Sequence, residues 1–114
     1  MPEVLEIERL DRGILTLRGP LTMENVNSFL NAVRRESTPT IILDFTEVPY
    51  LDSSGLGSLV SAYTSFQKNG KRVALTGVNS RVMKVFEITK TEPIFLMFPT
   101  VSDALEALTN AGTA

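Results

Sequence analysis

The fold is decided by the stretch Thr40-Ile-Ile-Leu-Asp-Phe-Thr-Glu-Val-Pro-Tyr-Leu-Asp-Ser-Ser-Gly-Leu-Gly-Ser-Leu59. Its residues 40–45 form a nearly unbroken apolar run, which is typical of a parallel-sheet strand that is buried on both faces. Its second half begins an apolar stripe at helical spacing, made of Leu56, Leu59, Val60 and Tyr63. The stretch therefore predicts a buried strand, a short polar loop and a helix.

On the amino-terminal side, two segments with strand patterns predict an antiparallel hairpin. Residues 4–10 alternate apolar and charged side chains, residues 11–13 form a turn, and residues 14–18 resume the strand pattern. Thr22 is then placed to cap a helix. The apolar face of that helix consists of Val26, Phe29, Leu30 and Val33.

On the carboxyl-terminal side, the chain continues as strand, helix, strand and helix. Asn69 and Gly70 end the preceding helix, residues 72–76 predict a strand, and Asn79 or Ser80 opens the next helix. Residues 94–98 predict the last strand, and the helix before it ends at Pro93. A capping-box pattern over residues 100–103 precedes a helix with Ala104, Leu105 and Leu108 on its apolar face.

The resulting order is β-β-α-β-α-β-α-β-α. It predicts an α/β fold whose mixed, mostly parallel sheet carries an amino-terminal antiparallel hairpin and about four helices. A length of 114 residues predicts one domain over residues 1–114, with its core at about residues 3–108.

The composition restricts the chemistry that this chain can perform. It contains no Cys and no His, which excludes thiolate catalysis, a Ser-His-Asp triad and a Cys/His zinc site. We therefore expect no enzyme activity and no cofactor. A net charge of −2 gives no basic excess for direct nucleic-acid binding. Without a signal peptide or an apolar run of about 18 residues, we expect a cytoplasmic protein with no membrane span, or a soluble domain of a larger protein.

The loop Asp52-Ser53-Ser54-Gly55 can be interpreted in three ways. In the simplest, Asp and Ser cap the following helix and Gly permits tight packing at its first turn. In the second, the serine is a nucleophile or the loop binds phosphate. A nucleophilic serine would need a His base and a G-x-S-x-G elbow, and the sequence has neither. A phosphate-binding loop would need the G-x-x-x-x-G-K-[ST] pattern with its lysine, which is also absent. In the third, a serine hydroxyl at the helix start accepts a phosphoryl group from a kinase, and the new charge acts on a docked partner.

Small residues lie opposite the apolar stripe of the same helix. They are Ser58, Ser61, Ala62 and Ser65. Such a face predicts either a flat surface on which another protein docks or a helix that is simply solvated.

The quoted stretch, with its Asp-Ser-Ser-Gly-Leu-Gly run, resembles the signature of bacterial anti-sigma factor antagonists, which are members of the STAS family. The resemblance in strand and helix order extends from about Glu3 to Leu108. By motif position it implies Ser53 as the phosphorylation site. It also implies a surrounding partner-binding surface consisting of Thr22, Asp52, Ser54, Gly55, Gly57, Ser58 and Ser61.

The resemblance further implies a partner-switching cycle. The unphosphorylated antagonist binds an anti-sigma factor, which is also a serine kinase of the histidine-kinase-like ATPase fold, and thereby frees the sigma factor. The kinase then phosphorylates and releases the antagonist, and a PP2C-type phosphatase reverses that step. ATP and Mg²⁺ belong to the kinase, and we expect the chain to be a monomer or weak dimer.

One departure from the family concerns the partner. The family often has an acidic residue in the loop where this chain has Gly19-Pro-Leu-Thr22, and that loop commonly faces the kinase. Pro20 and Thr22 therefore bear on which kinase is bound.

Two other functions remain open at this point. The first is a non-catalytic STAS adaptor subunit of a lipid-transport or stress-sensing complex. The second is a small-molecule or nucleotide-binding domain that uses Asp44, Asp52, Lys71 and Arg81. The spacing of these four residues matches no known site, and a solvated rim explains them more simply.

Overall fold

A mixed five-stranded sheet forms the centre of the computed structural model, which describes residues 4–11 and 13–113, with side chains to Leu108. Its strands, in spatial order, are β1 (Glu6–Asp11), β2 (Ile14–Arg18), β3 (Thr40–Glu47), β4 (Arg72–Thr76) and β5 (Leu96–Phe98). The β1 and β2 strands pair antiparallel, and every later pair is parallel. The predicted hairpin and mostly parallel sheet are confirmed; Glu3 and Arg12 lie outside the described residues.

Four helices connect and flank the strands: α1 (Val26–Arg34), α2 (Ser53–Lys68), α3 (Ser80–Thr89) and α4 (Val101–Thr113). The predicted element order is confirmed, with one added 3₁₀ turn at Glu92–Ile94. Because the connections between parallel strands return the chain to the same edge, the starts of α1, α2 and α3 all lie beyond the carboxyl ends of the strands. The candidate site is at this edge.

The main core lies between the sheet and helices α1 to α3. Its largest fully buried side chains include Phe29, Phe45 and Phe86, which are all 0% exposed. A smaller cluster on the other sheet face joins Ile42 and Ala74 to Ala104 of α4. Burial of β3 side chains in both clusters explains its unbroken apolar run, as predicted.

Three sequence predictions about element ends are wrong. Helix α1 begins at Val26 and not at the residue after Thr22, and the last strand begins at Leu96 because residues 92–94 form the 3₁₀ turn. Helix α3 ends where Lys90 adopts a left-handed conformation with φ of 60°, so its end does not depend on Pro93.

The start of α4 agrees with the predicted cap in part. The Thr100 hydroxyl oxygen accepts a hydrogen bond from the Asp103 N–H at 3.0 Å. Ala104 is buried, but Leu105 is 42% exposed, so its predicted place on the apolar face is wrong.

A buried carboxylate connects the end of α1 to the β1–β2 hairpin. The Glu36 side chain is 4% exposed; its Oε1 accepts from the Gly13 N–H at 2.8 Å and its Oε2 accepts from the Arg9 Nε at 2.9 Å. Hydrogen bonds to a charged group are among the stronger polar contacts in a fold. Glu36 therefore fixes the hairpin turn against the helix.

We expect Glu36→Ala to lower the free energy of unfolding by about 2–3 kcal/mol, because it leaves the buried Gly13 N–H without an acceptor. Chemical denaturation followed by circular dichroism measures this loss. Glu87→Ala is the matched control, since it removes an exposed helical glutamate and changes the net charge equally. Equal losses in the two variants would contradict the role assigned to Glu36.

Candidate functional site

The first residue of α2 is Ser53, and its side chain is exposed. Asp52 precedes it in extended backbone geometry and caps the helix, with Oδ1 accepting from the Gly55 N–H at 2.8 Å. The interpretation of Asp52 as a cap is therefore confirmed. Within the described residues, no group donates a hydrogen bond to the Ser53 hydroxyl or accepts one from it.

The same Asp52 carboxylate reaches a second loop. Its Oδ2 accepts from the Met23 N–H at 3.1 Å, in the segment between β2 and α1. Backbone hydrogen bonds join the two loops beside it: the Leu21 N–H donates to the Tyr50 carbonyl, and the Asp52 N–H donates to the Leu21 carbonyl, both at 3.2 Å. Two loops that are distant in sequence thus form one surface around Ser53.

Glycines at two positions of α2 have different roles. Gly55 is buried, and a Cβ atom added there would overlap the carbonyl oxygen of Leu21. Gly57 is exposed, and a Cβ atom there would have no neighbour within 4 Å among the described residues. Gly55 thus allows the loop between β2 and α1 to approach α2, as its interpretation as a tight-packing glycine predicted. Its predicted place on the partner-binding surface is wrong, because Leu21 covers it. Gly57, in contrast, leaves a flat patch beside Ser53.

Thr22 does not cap α1. Its N–H instead donates to the Asn25 Oδ1 at 2.8 Å, and the Asn25 Nδ2 donates to the Pro20 carbonyl at 2.8 Å. This buried asparagine organises a turn that delays the helix until Val26. Thr22 is half-buried next to Met23, and its contact with a partner stays a prediction.

The face of small residues on α2 does not point outward as a whole. Ser58 is 6% exposed and donates to the Gly55 carbonyl at 2.7 Å, and Ala62 is 4% exposed. Ala62, with Ser61 and Ser65, lines a narrow groove between α2 and α1. The prediction of a four-residue docking face is therefore wrong for Ser58 and Ala62, which pack inside the chain, while Ser61 and Ser65 are exposed.

The structure does not gather the four polar candidates for a small-molecule site. Asp44 accepts hydrogen bonds from the Thr46 N–H and hydroxyl and from the Thr76 hydroxyl. Lys71 lies over the Phe66 ring at the amino end of β4, at the opposite edge of the sheet from Asp52. These contacts occupy the side chains separately and give no common site.

The electrostatics at the start of α2 favour negative charge. The N–H groups of Ser53 and Ser54 find no acceptor among the described residues, and the helix dipole adds partial positive charge at this end.

Farther along the same edge, hydrogen bonds to Glu8 and Glu47 raise the pKa of the Arg18 guanidinium, which is charged at physiological pH in any case.

Met23 is the site residue that the sequence did not reveal. Its side chain is 71% exposed beside the capped end of α2, so the surface around Ser53 includes an apolar contact point. In the sequence it is one methionine in a polar loop, and no local pattern connects it to Asp52, 29 residues away.

Comparison with known proteins gives a family model and relatives. The model of the STAS domain matches residues 1–104. The anti-sigma-B factor antagonist of Staphylococcus aureus is 32% identical over 68 residues, which are 60% of this chain and 63% of that protein. The chain thus matches less than two thirds of the length of this relative.

Solved structures show the same fold. The Bacillus cell fate determinant SpoIIAA in its phosphorylated form superposes with a TM-score of 0.66 at 22% identity, covering 92% of this chain and 99% of that chain. A sulfate transporter family protein of Wolinella succinogenes gives a TM-score of 0.79 at 20% identity, covering 94% and 93%. None of the helices in the described ranges has the length and apolar content that crossing a membrane requires.

Proposed function

The chain belongs to the STAS domain family, and on this premise we propose that it is an anti-sigma factor antagonist switched by phosphorylation of Ser53. Unphosphorylated, it binds an anti-sigma factor that is also a serine kinase, and the sigma factor is released. Phosphorylation of Ser53 ends that binding, and a PP2C-type phosphatase restores it. The observation that carries the proposal is the exposed Ser53 hydroxyl at the first position of α2, which has no hydrogen-bond partner among the described residues.

The chemistry of the cycle needs little from this chain. The Ser53 Oγ forms a bond to the γ-phosphorus of ATP, the bond from that phosphorus to the oxygen bridging to the β-phosphate breaks, and ADP leaves. The hydroxyl proton passes to a base of the kinase. In the reverse branch, water attacks the phosphorus and releases inorganic phosphate, which regenerates the hydroxyl. The chain contributes an exposed acceptor oxygen at the start of α2.

Phosphorylation at this position is compatible with the fold. A phosphoserine carries about −1.5 to −2 charges, and at the first residue of a helix it meets free N–H groups and a favourable dipole. The product is therefore expected to stay folded. The added charge and volume act outward, on a partner that contacts the surface formed by Met23, Ser53 and Gly57.

The functions of two similar proteins support this proposal. The Staphylococcus aureus relative is an anti-sigma-B factor antagonist, and SpoIIAA exists in a phosphorylated form. This chain presents a serine at the start of a helix after a buried strand, a suitable place for such a modification.

The test is affinity capture of the tagged chain from the organism that encodes it, with mass spectrometry of the partners and of the chain. We expect a soluble ATP-binding serine kinase among the partners and a phosphate on Ser53. Capture of an ABC transporter permease and ATPase, with Ser53 unmodified, would contradict the proposal and favour the adaptor function.

Once the kinase is identified and purified, Ser53→Asp is expected to weaken the binding of this chain to the kinase about 10- to 100-fold, because a negative charge then faces the partner. Aspartate in the first turn of a helix is stabilising, so the fold should be unaffected. Isothermal titration calorimetry measures the affinity. Ser37→Asp, an exposed serine beyond the end of α1, is the control with the same net charge. If the two variants bind equally, the switch is not at Ser53.

A further inference from the structure

We propose that Asn79, at the start of the neighbouring helix α3, is a positioning residue that holds the loop before Ser53 in place for phosphate transfer. The proposal rests on the function proposed for Ser53. It is based on the Asn79 side-chain amide, which forms hydrogen bonds both to α3 and to the loop between β3 and α2.

The oxygen of the Asn79 amide belongs to its own helix. Asn79 has extended backbone geometry, and its Oδ1 accepts from the Val82 N–H at 2.8 Å, which makes it the cap of α3. Asparagine and aspartate are equally good at such a position, since only an acceptor oxygen is required. The cap alone therefore does not explain an asparagine here.

The nitrogen of the same amide reaches across to the loop between β3 and α2. The Asn79 Nδ2 donates to the Val48 carbonyl at 3.1 Å and to the Pro49 carbonyl at 3.3 Å. These acceptors lie 31 and 30 residues away in sequence, just before the segment that leads into Ser53. Aspartate could not make these two contacts, because an ionised carboxylate only accepts.

The same end of α3 holds the loop a second time. The Arg81 guanidinium lies over the Tyr50 ring, 4.8 Å from its centroid. Such a cation–π contact adds modestly to the hydrogen bonds of Asn79. Helix α3 thus contacts three successive loop residues, Val48, Pro49 and Tyr50.

These contacts complete the support around Ser53. On one side, Asp52 and the Leu21 backbone join the loop to the segment before α1. On the other side, Asn79 joins it to α3. Ser53 follows directly after this doubly held loop, so the backbone that carries its hydroxyl has a restricted set of positions. Phosphate transfer depends strongly on such orientation of the acceptor oxygen.

Asn79→Asp separates the two roles of the amide. The variant keeps the acceptor for the α3 cap and removes both donors to the loop, whereas Asn79→Ala removes both functions. Asn69→Asp is the matched control, because it makes the same change of amide to carboxylate at the carboxyl-terminal cap of α2. Among the described residues, the Asn69 Nδ2 donates to the Ser65 carbonyl of its own helix and to no other element.

Two measurements are made on the full chain. Amide hydrogen exchange is read at the two hydrogen-bonded loop amides, the Val48 N–H, which donates to the Phe45 carbonyl, and the Asp52 N–H, which donates to the Leu21 carbonyl. Their exchange is expected to be about tenfold faster in Asn79→Asp than in wild type, and unchanged in Asn69→Asp. With the purified kinase, kcat for Ser53 phosphorylation is expected to fall about three- to tenfold, while KM stays within about twofold, because the docking surface on α2 is intact.

The outcomes are distinguishable. Unchanged exchange in Asn79→Asp, or an equal fall of kcat in Asn69→Asp, overturns the positioning role even when Ser53 is the acceptor. If wild-type Ser53 accepts no phosphate, the proposed function is wrong, and so is the role of Asn79 in phosphate transfer. Faster exchange in Asn79→Asp would then show only that Asn79 holds the loop. Faster exchange with the kcat–KM split supports the proposal.

Discussion

Ser53→Ala is expected to abolish phosphate transfer to this chain while leaving its affinity for the kinase within about twofold. The substitution removes one exposed oxygen that has no hydrogen-bond partner among the described residues. Alanine is a favourable helix residue, and surface substitutions of this kind change stability by less than about 0.5 kcal/mol. Loss of phosphorylation could then not be attributed to unfolding.

The measurement is intact-protein mass spectrometry after incubation with the kinase and ATP. Wild type should gain one phosphate and Ser53→Ala none. Ser54→Ala is the matched control, because Ser54 is the half-buried neighbour in the same helical turn, and this variant should still be modified. If Ser53→Ala is fully phosphorylated and Ser54→Ala is not phosphorylated, the acceptor is Ser54 and the assignment to Ser53 is wrong.

A non-phosphorylatable variant also separates binding from release. If phosphorylation is what ends the complex, Ser53→Ala should stay bound to the kinase in the presence of ATP, whereas wild type dissociates. Gel filtration of the mixture before and after ATP addition distinguishes the two behaviours. Dissociation of both proteins on ATP addition would mean that the nucleotide, and not the phosphate on this chain, controls release.

Local patterns were sufficient to predict the architecture. The strand at residues 40–47 and the stripe on α2 each depend on residue types within one element, and the Asp52 cap joins residues only three positions apart. Periodicity and capping are properties of short segments, so a sequence displays them directly.

The contacts between loops could not be predicted in this way. Asp52 to Met23, Asn79 to Val48 and Glu36 to Gly13 are separated by 29, 31 and 23 residues. Parallel topology brings these segments together at one edge or one corner of the sheet, and no periodic pattern encodes which side chains then meet. Glu36 shows this clearly, since a glutamate near a helix end normally predicts an exposed residue.

The errors at Thr22 and Ser58 have specific causes. The Asn25 side chain, three residues after Thr22, forms hydrogen bonds that close a turn. This turn takes the place of the helix start predicted after Thr22. For Ser58, small residues on a helix favour close approach of another backbone, but the sequence does not say whether that backbone belongs to a partner. Here α1 lies beside Ala62, and the loop before α1 lies against Gly55, so other segments of this chain approach that face of α2.

The two glycines of α2 offer the largest expected change in stability. Gly55→Ala is expected to lower the free energy of unfolding by about 3 kcal/mol, because its methyl group would overlap the Leu21 carbonyl. That carbonyl cannot easily move: Leu21 is fully buried, and its oxygen accepts the Asp52 N–H. For a domain of this size, such a loss is a large part of the total stability.

Gly57→Ala makes the same chemical change two residues later and should act in the opposite direction. The added methyl has open space, and alanine exceeds glycine in helix propensity by about 0.5–1 kcal/mol. Chemical denaturation should therefore separate the two variants by roughly 4 kcal/mol. Similar stabilities would mean that the loop at Leu21 does not lie against α2 as described.

Gly57→Ala also tests the surface around Ser53, because it stays folded. If the kinase approaches the flat patch left by Gly57, the methyl group should weaken binding even though the chain becomes more stable. A stability gain with an affinity loss cannot come from damage to the fold, so it would place Gly57 in the contact. Ser65→Ala, an exposed position about two turns farther along α2, should leave the affinity unchanged. Unchanged affinity in Gly57→Ala would place the partner's contact elsewhere on the chain.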